Sequence, residues 1–299
     1  MSSPIVIGLT SRTIFNLPAW IAQDKGYFAE AGLDVRLHLF NSGDASREAL
    51  LGGEIQFAFA APEAVLIDVY LRDGSLRIVG GNARRLPHFI IAQPRFKKVE
   101  DLRGATIGVI SDHEGTTYIV PTIAAAHGLP RDSYTISAVG GAPKRWKLLQ
   151  AGEIDAGLQP FPLCYEAEAA GFSNLGWAGK YEPDWQFTAL SADSRWTEAH
   201  REETVALLRA LRQGSDHIAA DPDDSARIGA REMEAPVALT RRSIEDEQRL
   251  GILDLHWSEA GIARIFRVLQ QSGIIPESAR FDISRVTDAS YLGASERHA

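Results

Sequence analysis

The sequence predicts an α/β fold of two similar lobes followed by a helical tail. Three observations carry that expectation. From Ile5 to Leu190, β-like runs alternate with helical segments, the pattern of a mostly parallel sheet covered by helices. The stretch Leu50-Leu51-Gly52-Gly53-Glu54-Ile55-Gln56-Phe57-Ala58 returns 99 residues later as Leu149-Gln150-Ala151-Gly152-Glu153-Ile154-Asp155-Ala156-Gly157, each copy followed by a proline, Pro62 or Pro160. That offset is too long for a solenoid repeat and fits two duplicated lobes. Beyond Leu190 the apolar period becomes 3.6 with charged outer faces, as in helices packed by one side on a core. Lobe 1 is expected from residues 1–87 plus 190–299, with the helical C-terminal tail packed on it, and lobe 2 from residues 88–189.

Taken in order, Ile5 to Leu9 is a short apolar strand, and the helix Pro18 to Lys25 is stopped by Gly26. Val35, Leu37 and Leu39 alternate with Arg36, His38 and Phe40 as a second strand. That strand runs into Asn41-Ser42-Gly43-Asp44, a loop able to cap the helix Ala45 to Leu51. Phe57 to Ala60 is a third strand, Glu63 to Leu71 a third helix, and Leu76 to Val79 a fourth strand entering Gly80-Gly81. In the second lobe the strands are Phe89 to Ala92, Thr106 to Ile110, Thr135 to Val139 and Ala156 to Leu158. Its clearest helix, Lys144 to Gln150, is closed by Gly152. The tail helices are Glu198 to Ala219, Ser225 to Met233, Arg241 to Leu253 and Ser258 to Gln271.

Composition narrows the function. Of 299 residues 45% are hydrophobic and 23% charged, and the mean hydropathy is −0.12. This is a globular balance, neither disordered nor membrane-embedded. Thirty-one Lys and Arg against 39 Asp and Glu give a net charge of −8, which argues against binding nucleic acid by phosphate neutralisation. The one cysteine, Cys164, excludes an internal disulfide framework and any multi-cysteine metal site. The first residues lack the charged start, apolar stretch and cleavage site of a secretory signal, and no run of about 18 apolar residues occurs. The expected location is cytoplasmic if Met1 is the native start, and periplasmic or otherwise extracytoplasmic if a leader was removed.

Ligands of open α/β sheets sit beyond the carboxyl ends of the strands, often at helix N-termini whose unpaired N–H groups attract polar or negative groups. Two such lobes joined by crossing segments are therefore expected to share a ligand cleft.

The segment Pro18-Ala19-Trp20-Ile21-Ala22-Gln23-Asp24-Lys25-Gly26-Tyr27-Phe28, with Glu30-Ala31-Gly32-Leu33-Asp34-Val35, resembles the opening signature of a family of ABC-transporter substrate-binding proteins. These are the nitrate, taurine, alkanesulfonate and thiamine-pyrimidine-precursor group. Leu50-x-x-Gly53-Glu54-Ile55 with Pro62, Val99-Glu100-Asp101-Leu102-Arg103-Gly104, and Leu149-x-x-Gly152-Glu153-Ile154-Asp155-Ala156 extend the resemblance over about residues 4–190. The resemblance implies a two-lobe periplasmic-binding-protein fold, type 2-like, that closes on one small solute by a hinge at crossings near 85–89 and 186–190. It implies the solute-binding component of an ABC importer, taking a sulfonate, carboxylate or heteroaromatic molecule in the interlobe cleft. An ABC permease is the implied partner, the chain acting as a monomer without cofactor or metal. The alternative is a cytosolic enzyme on the same scaffold, a decarboxylase, desulfinase or pyrimidine-synthase-like protein. A ligand sensor is a third reading.

Local sequence gives the enzyme readings little support. There is no Gly-x-Ser-x-Gly elbow, P-loop or Gly-x-Gly-x-x-Gly. Cys164 lies in the apolar helical stretch Leu163-Cys164-Tyr165, as a buried thiol would. The cysteine-rich iron motif of the pyrimidine synthases is absent, and Ser11 stands where the desulfinase relatives carry a cysteine.

The candidate ligand residues follow the strands. Ser11, Arg12 and Thr13 come after the first, where a guanidinium can grip a carboxylate or sulfonate bidentately. Ser42 and Gly43 follow the second, Ser42 being either a helix cap or a ligand contact. Ala61, Pro62 and Glu63 follow the third, Glu63 being either a first-turn acid facing the helix dipole or an acceptor for a ligand amine. Asn82, Arg84, Arg85 and His88 surround the first crossing, and Trp185 flanks the second. In lobe 2 the loop Asp112-His113-Glu114-Gly115-Thr116-Thr117 offers backbone N–H groups and threonine hydroxyls to an anionic oxygen, although its acidic residues speak against a purely anionic ligand. The Asp112-His113-Glu114 trio lacks metal-ligand spacing. Gly140-Gly141, Gln159 and Phe161 complete the set, Phe161 either stacking on a planar ligand or filling the core. Arg12, Arg84 and Arg85 favour an acid, whereas Glu63, Asp112 and Glu114 favour an amine.

Overall fold

The computed structural model describes residues 4–40, 42–111 and 115–296. The chain divides into two compact units, one formed by residues 1–85 with 184–299 and the other by residues 86–183. It passes between them at Arg85–Leu86 and Pro183–Asp184, where the sequence puts the boundaries after residues 87 and 189. The second passage comes earlier because Trp185 and Gln186 are already buried in the first unit, 1% and 0% exposed.

Along the chain, the first unit begins with β1 (Ile5–Leu9), α1 (Leu17–Asp24), α2 (Tyr27–Glu30), β2 (Val35–Leu39), α3 (Gly43–Leu51), β3 (Phe57–Ala60), α4 (Pro62–Arg72) and β4 (Leu76–Gly81). The second unit follows with β5 (His88–Ala92), β6 (Thr106–Val109), α5 (Thr116–Ala126), β7 (Thr135–Ala138), α6 (Ala142–Ala151), β8 (Ala156–Pro160), α7 (Leu163–Ala169) and β9 (Ser173–Trp177). Returning to the first unit, the chain forms β10 (Ala189–Asp193), α8 (Ser194–Ala199), α9 (Arg201–Ala220), α10 (Pro222–Met233), α11 (Val237–Leu250), α12 (Glu259–Gln271) and α13 (Ser290–Glu296).

Each unit holds a five-stranded sheet, in the orders β2-β1-β3-β10-β4 and β7-β6-β8-β5-β9. The two orders correspond strand for strand. β1 pairs in parallel with β2 and β3, and β6 in parallel with β7 and β8. One strand in each sheet runs the other way: β10 is antiparallel to β3 and β4, and β5 to β8 and β9. The duplication read from the sequence extends to side-chain packing. A Cβ added at Gly8 would lie 2.7 Å from Ile55 Cδ1 and 2.8 Å from Ser46 Oγ, and one at Gly108 would lie 2.7 Å from Ile154 Cδ1 and 3.5 Å from Arg145 Cδ. In both units a glycine strand thus accepts an isoleucine and a helix side chain, the isoleucines and helix residues standing 99 positions apart and the glycines 100.

The helical tail covers the first unit through its apolar stripes. α12 buries Ile262, Ile265, Phe266 and Leu269 at helical spacing, each worth about 1.5–3 kcal/mol of apolar burial. α9 buries Leu207, Leu208 and Leu211 and comes so near α1 that a Cβ on Gly214 would stand 2.1 Å from the Pro18 carbonyl oxygen. Ser42 and Ser258 cap α3 and α12, their hydroxyls accepting from Ala45 N–H at 3.1 Å and Gly261 N–H at 3.0 Å.

Several sequence expectations shift. The helix expected from Glu198 to Ala219 is two helices, because His200 leaves helical geometry (φ −126°, ψ 47°). The helix expected to reach Leu253 stops at Leu250, where Gly251 turns left-handed (φ 60°). The freed segment Ile252–Leu255 then pairs with Gly81–Arg84 through Gly81 N–H to Leu255 O, Asp254 N–H to Asn82 O at 2.8 Å and Arg84 N–H to Ile252 O at 2.7 Å. β9 escaped the sequence because Ser173-Asn174-Leu175-Gly176-Trp177 has no apolar alternation; it is an edge strand, half-buried throughout.

Glu247 of α11 fixes the turn into that pairing segment, accepting from Leu253 N–H at 2.8 Å while 4% exposed. Burial raises its carboxyl from the ordinary 4.5 to about 7. The folded state therefore holds this proton more tightly than the unfolded chain. The resulting stabilisation is complete below about pH 4.5 and is lost as pH rises through about 7. Glu247→Gln keeps the acceptor and removes the titration. Its urea midpoint relative to the parent is expected to rise between pH 5 and pH 8, by about 1–3 kcal/mol in stability; parallel pH profiles for the two proteins would show that Glu247 is not the titrating group.

Candidate functional site

The topology brings the strand-end residues of each unit to one edge of its own sheet. In the first unit β1, β2, β3 and β4 end there and antiparallel β10 begins there. This edge therefore carries Ser11–Thr13, Ser42–Gly43, Ala61–Glu63, Asn82 and Trp185. In the second unit β6, β7 and β8 end at one edge where β5 begins, so Gly115–Thr117, Gly141, Gln159, Phe161 and His88 collect there. α3, α4, α5 and α6 all start at these edges, presenting N-terminal N–H groups and the positive ends of their dipoles. His113, with Asp112 and Glu114, lies outside the described residues.

At the first edge much of the polar inventory is engaged within the unit. Ser11 Oγ and Thr13 Oγ1 are 2.7 Å apart, and Asn16 donates to Ser11 O at 2.6 Å. Arg12 does not stand free: it donates to Glu232 O at 2.7 Å and faces Glu234 at 3.7 Å. Arg84 is paired with Asp254 at 2.7 Å, and Arg85 donates to Leu250 O at 3.0 Å. Asn82 donates to Thr188 Oγ1 at 3.0 Å, tying the two crossing segments together inside the first unit. Gln186 reinforces them, donating to Thr188 O at 2.8 Å and accepting from Ser258 N–H at 2.7 Å. Ser42 is the helix cap, and Glu63 is buried in the first turn of α4, 2% exposed. Trp185 is enclosed rather than walling an opening.

Beside Arg12, on the flank of the first unit, lies a surface cavity of about 370 Å³ lined by Trp20, Gln23 and Asp24 of α1, Leu37 and Leu39 of β2, and Arg231 and Glu232. Its charges close on one another, Arg231 pairing with Asp24 at 2.7 Å and with Glu232 at 3.0 Å.

The second edge differs. His88 is 3% exposed, and burial together with the positive charge of Arg145 holds its imidazole well below the ordinary 6.5. Gln159 is fully buried; with its amide oxygen and nitrogen exchanged it donates to Ala142 O at 3.3 Å and accepts from Trp146 N–H at 3.2 Å, bracing the start of α6. Thr117 Oγ1 donates to Ser111 O, tying α5 back to the β6 loop. Phe161 fills the core, edge-on to Phe89 at 5.4 Å and against Tyr165 at 5.5 Å, which displaces the ligand-stacking role considered for it. Cys164 is buried on α7, as its apolar surroundings in the sequence indicate.

Sequence reasoning missed Arg145. It lies on α6, 2% exposed, and donates to Gly140 O at 2.9 Å and Leu158 O at 2.7 Å. Burial lowers its guanidinium to about 10, so it stays charged at neutral pH. The signal that could have found it is the duplication, since the matching position in the first unit is Ser46.

Among the described residues one group has metal-ligand geometry, His217, Asp221 and Asp224. Asp224 is already held by Lys25 at 3.1 Å, His217 at 3.0 Å and Arg227 at 2.9 Å, and hydrogen bonds from Lys25 and His217 push its carboxyl down to about 2. With two cations on its oxygens, this group is an ion-pair network joining α9 to α10.

Two α/β units of matching strand order thus each gather polar loops and helix N-termini at one sheet edge. The model of the NMT1/THI5-like family matches residues 16–225, and the chain belongs to that family. A Brucella abortus (strain 2308) protein described as a candidate binding protein is 25% identical over 214 residues, 71% of this chain and 66% of that relative's length. Two solved structures share the fold. The ligand-binding component of an ABC-type import system from Staphylococcus aureus, solved with zinc bound, has TM-score 0.82 at 12% identity, covering 99% of this chain and 100% of that one. The alkanesulfonate-binding protein SsuA from Xanthomonas axonopodis pv. citri, bound to MOPS, has TM-score 0.78 at 16% identity over 97% and 99% of the two chains.

The packing assigned to Phe161 is directly testable. Phe161→Ala is expected to lower unfolding free energy by about 3–5 kcal/mol in urea titrations, the cost of emptying a buried aromatic site. A loss below about 1 kcal/mol would overturn this packing role for the ring.

Proposed function

We propose that this chain is an extracytoplasmic solute-binding protein that captures a small organic molecule and delivers it to an ABC permease. The observation that carries this reading is the convergence, in each unit, of strand-end loops and helix N-termini on one sheet edge. Family membership and the binding proteins among its structural neighbours support it. Among the described residues no helix is long and apolar enough to cross a membrane. The passages at Arg85–Leu86 and Pro183–Asp184 are the flexing points, and contacts from a bound solute shift the population between open and closed forms. The internal engagement of Arg12, Arg84 and Arg85 leaves backbone N–H groups at the helix starts as the main recognition elements of the first unit.

A thermal-shift screen of the purified chain against small sulfonates, carboxylates and heteroaromatic compounds, with mass spectrometry of each hit after hours of incubation, tests the assignment. The expected result is a concentration-dependent rise in Tm with the compound recovered unchanged, because a ligand of the native state stabilises it by mass action. Chemical conversion of a stabilising compound would establish an enzyme on the scaffold instead.

A further inference from the structure

Arg145 is a cation in an unusual place. Its stem crosses the glycine positions of β6 and β8: a Cβ at Gly108 would lie 3.5 Å from its Cδ, and one at Gly157 would lie 3.7 Å from its Cδ and 3.9 Å from its Nε. The guanidinium ends between Gly140 O, in the loop leaving β7, and Leu158 O of β8, at the edge where His88, Gly141 and the start of α5 also lie. Its Nε is buried without a hydrogen-bond partner, and among the described residues the guanidinium meets the two carbonyls and no carboxylate. A buried guanidinium balanced only by two carbonyls is costly to keep.

The duplication shows that the fold does not require this charge. At the same step of the first unit the small Ser46, fully buried, meets the glycine strand beside Ile55, as Arg145 does beside Ile154. The same packing is therefore closed once with a neutral side chain and once with a charged one. His88, whose imidazole feels the Arg145 charge, is held neutral and does not offset it.

We propose that Arg145 is a specificity-determining residue, the fixed positive charge by which the strand-end edge of the second unit selects a solute carrying an acidic group over its neutral isostere. This rests on the solute-binding function proposed above. Arg145 acts through its field and through the Gly140 loop it holds. A fixed charge about 8 Å from an anion, at an interior dielectric of about 20, changes affinity by about tenfold or more. The α5 and α6 N-termini add N–H donors of the same sign.

The experiment compares matched acids and amides, benzoate with benzamide and benzenesulfonate with benzenesulfonamide, by calorimetric titration of the full-length chain and its Arg145→Met and Arg145→Lys variants. In the parent at least one acid is expected to bind about tenfold more tightly than its amide. Arg145→Met is expected to cut that preference to within about threefold by weakening the acid about tenfold more than the amide, and Arg145→Lys to keep most of it. A purely structural role would weaken acid and amide together and overturns the proposal. So does equal binding of acid and amide by the parent, or no acid binding up to about 10 mM. Should Arg145→Met fail to fold, the parent's acid preference and the Arg145→Lys titration decide. Failure of the solute-binding reading is separate: it would appear as no stabilisation by any compound of the broader screen.

Discussion

Each sheet is completed by a strand that the chain supplies only after passing between the units, and most of the architecture follows from that constraint. β5 comes directly after the first passage and enters the second sheet between β8 and β9; β10 comes after the second and enters the first sheet between β3 and β4. Until residue 193 is in place the first sheet is in two pieces, with β4 separated from β3. Closing it is a long-range event whose loop entropy is met before any pairing is gained, so this pairing belongs among the slow steps of folding. The antiparallel insertion also aligns the beginning of β10 with the ends of the parallel strands. That is how Asn82 meets Thr188 and Gln186 meets Ala83, and how residues more than 100 positions apart share one sheet edge.

Helix polarity then sets the electrostatics. Because α3 to α6 each follow a parallel strand, their N-termini point to the same edge as the strand ends. The resulting partial positive charge is built from backbone and does not depend on which side chains the loops carry. Side chains modulate it differently in the two units. In the first, the arginines near the edge are engaged by the Glu234 and Asp254 carboxylates and by the Glu232 and Leu250 carbonyls. In the second, Arg145 keeps its charge among carbonyls, next to a histidine held neutral. Two units of one duplicated plan thus carry differently charged sheet edges.

Much of the fold was legible because it rests on short-range signals. Alternating Val35, Leu37 and Leu39, the Ser42 cap, the left-handed Gly152 and the Glu-Ile echo each write a local rule into a few residues. The elements that escaped are those whose stability comes from elsewhere. β9 has little apolar pattern of its own and exists because β5 offers it an edge, and the break at His200 divides a segment whose periodicity runs on unbroken. Candidate site residues were legible as positions and much less as roles. Ser11, Ser42, Glu63 and Gly141 do lie at strand ends, but whether Arg12, Phe161 or Trp185 is available to a ligand depends on neighbours more than 70 residues away or on enclosure by the core.

The sequence by itself determined the fold class, the duplication, the strands and helices that carry their own periodic pattern and the loops that follow them, since these follow from period, caps and turn residues in contiguous chain. Only the tertiary structure decided which side chains at those edges are satisfied internally and which, among the described residues, meet only carbonyls. The free energy of a buried polar group is set by the partners that surround it, and those partners come from distant parts of the chain.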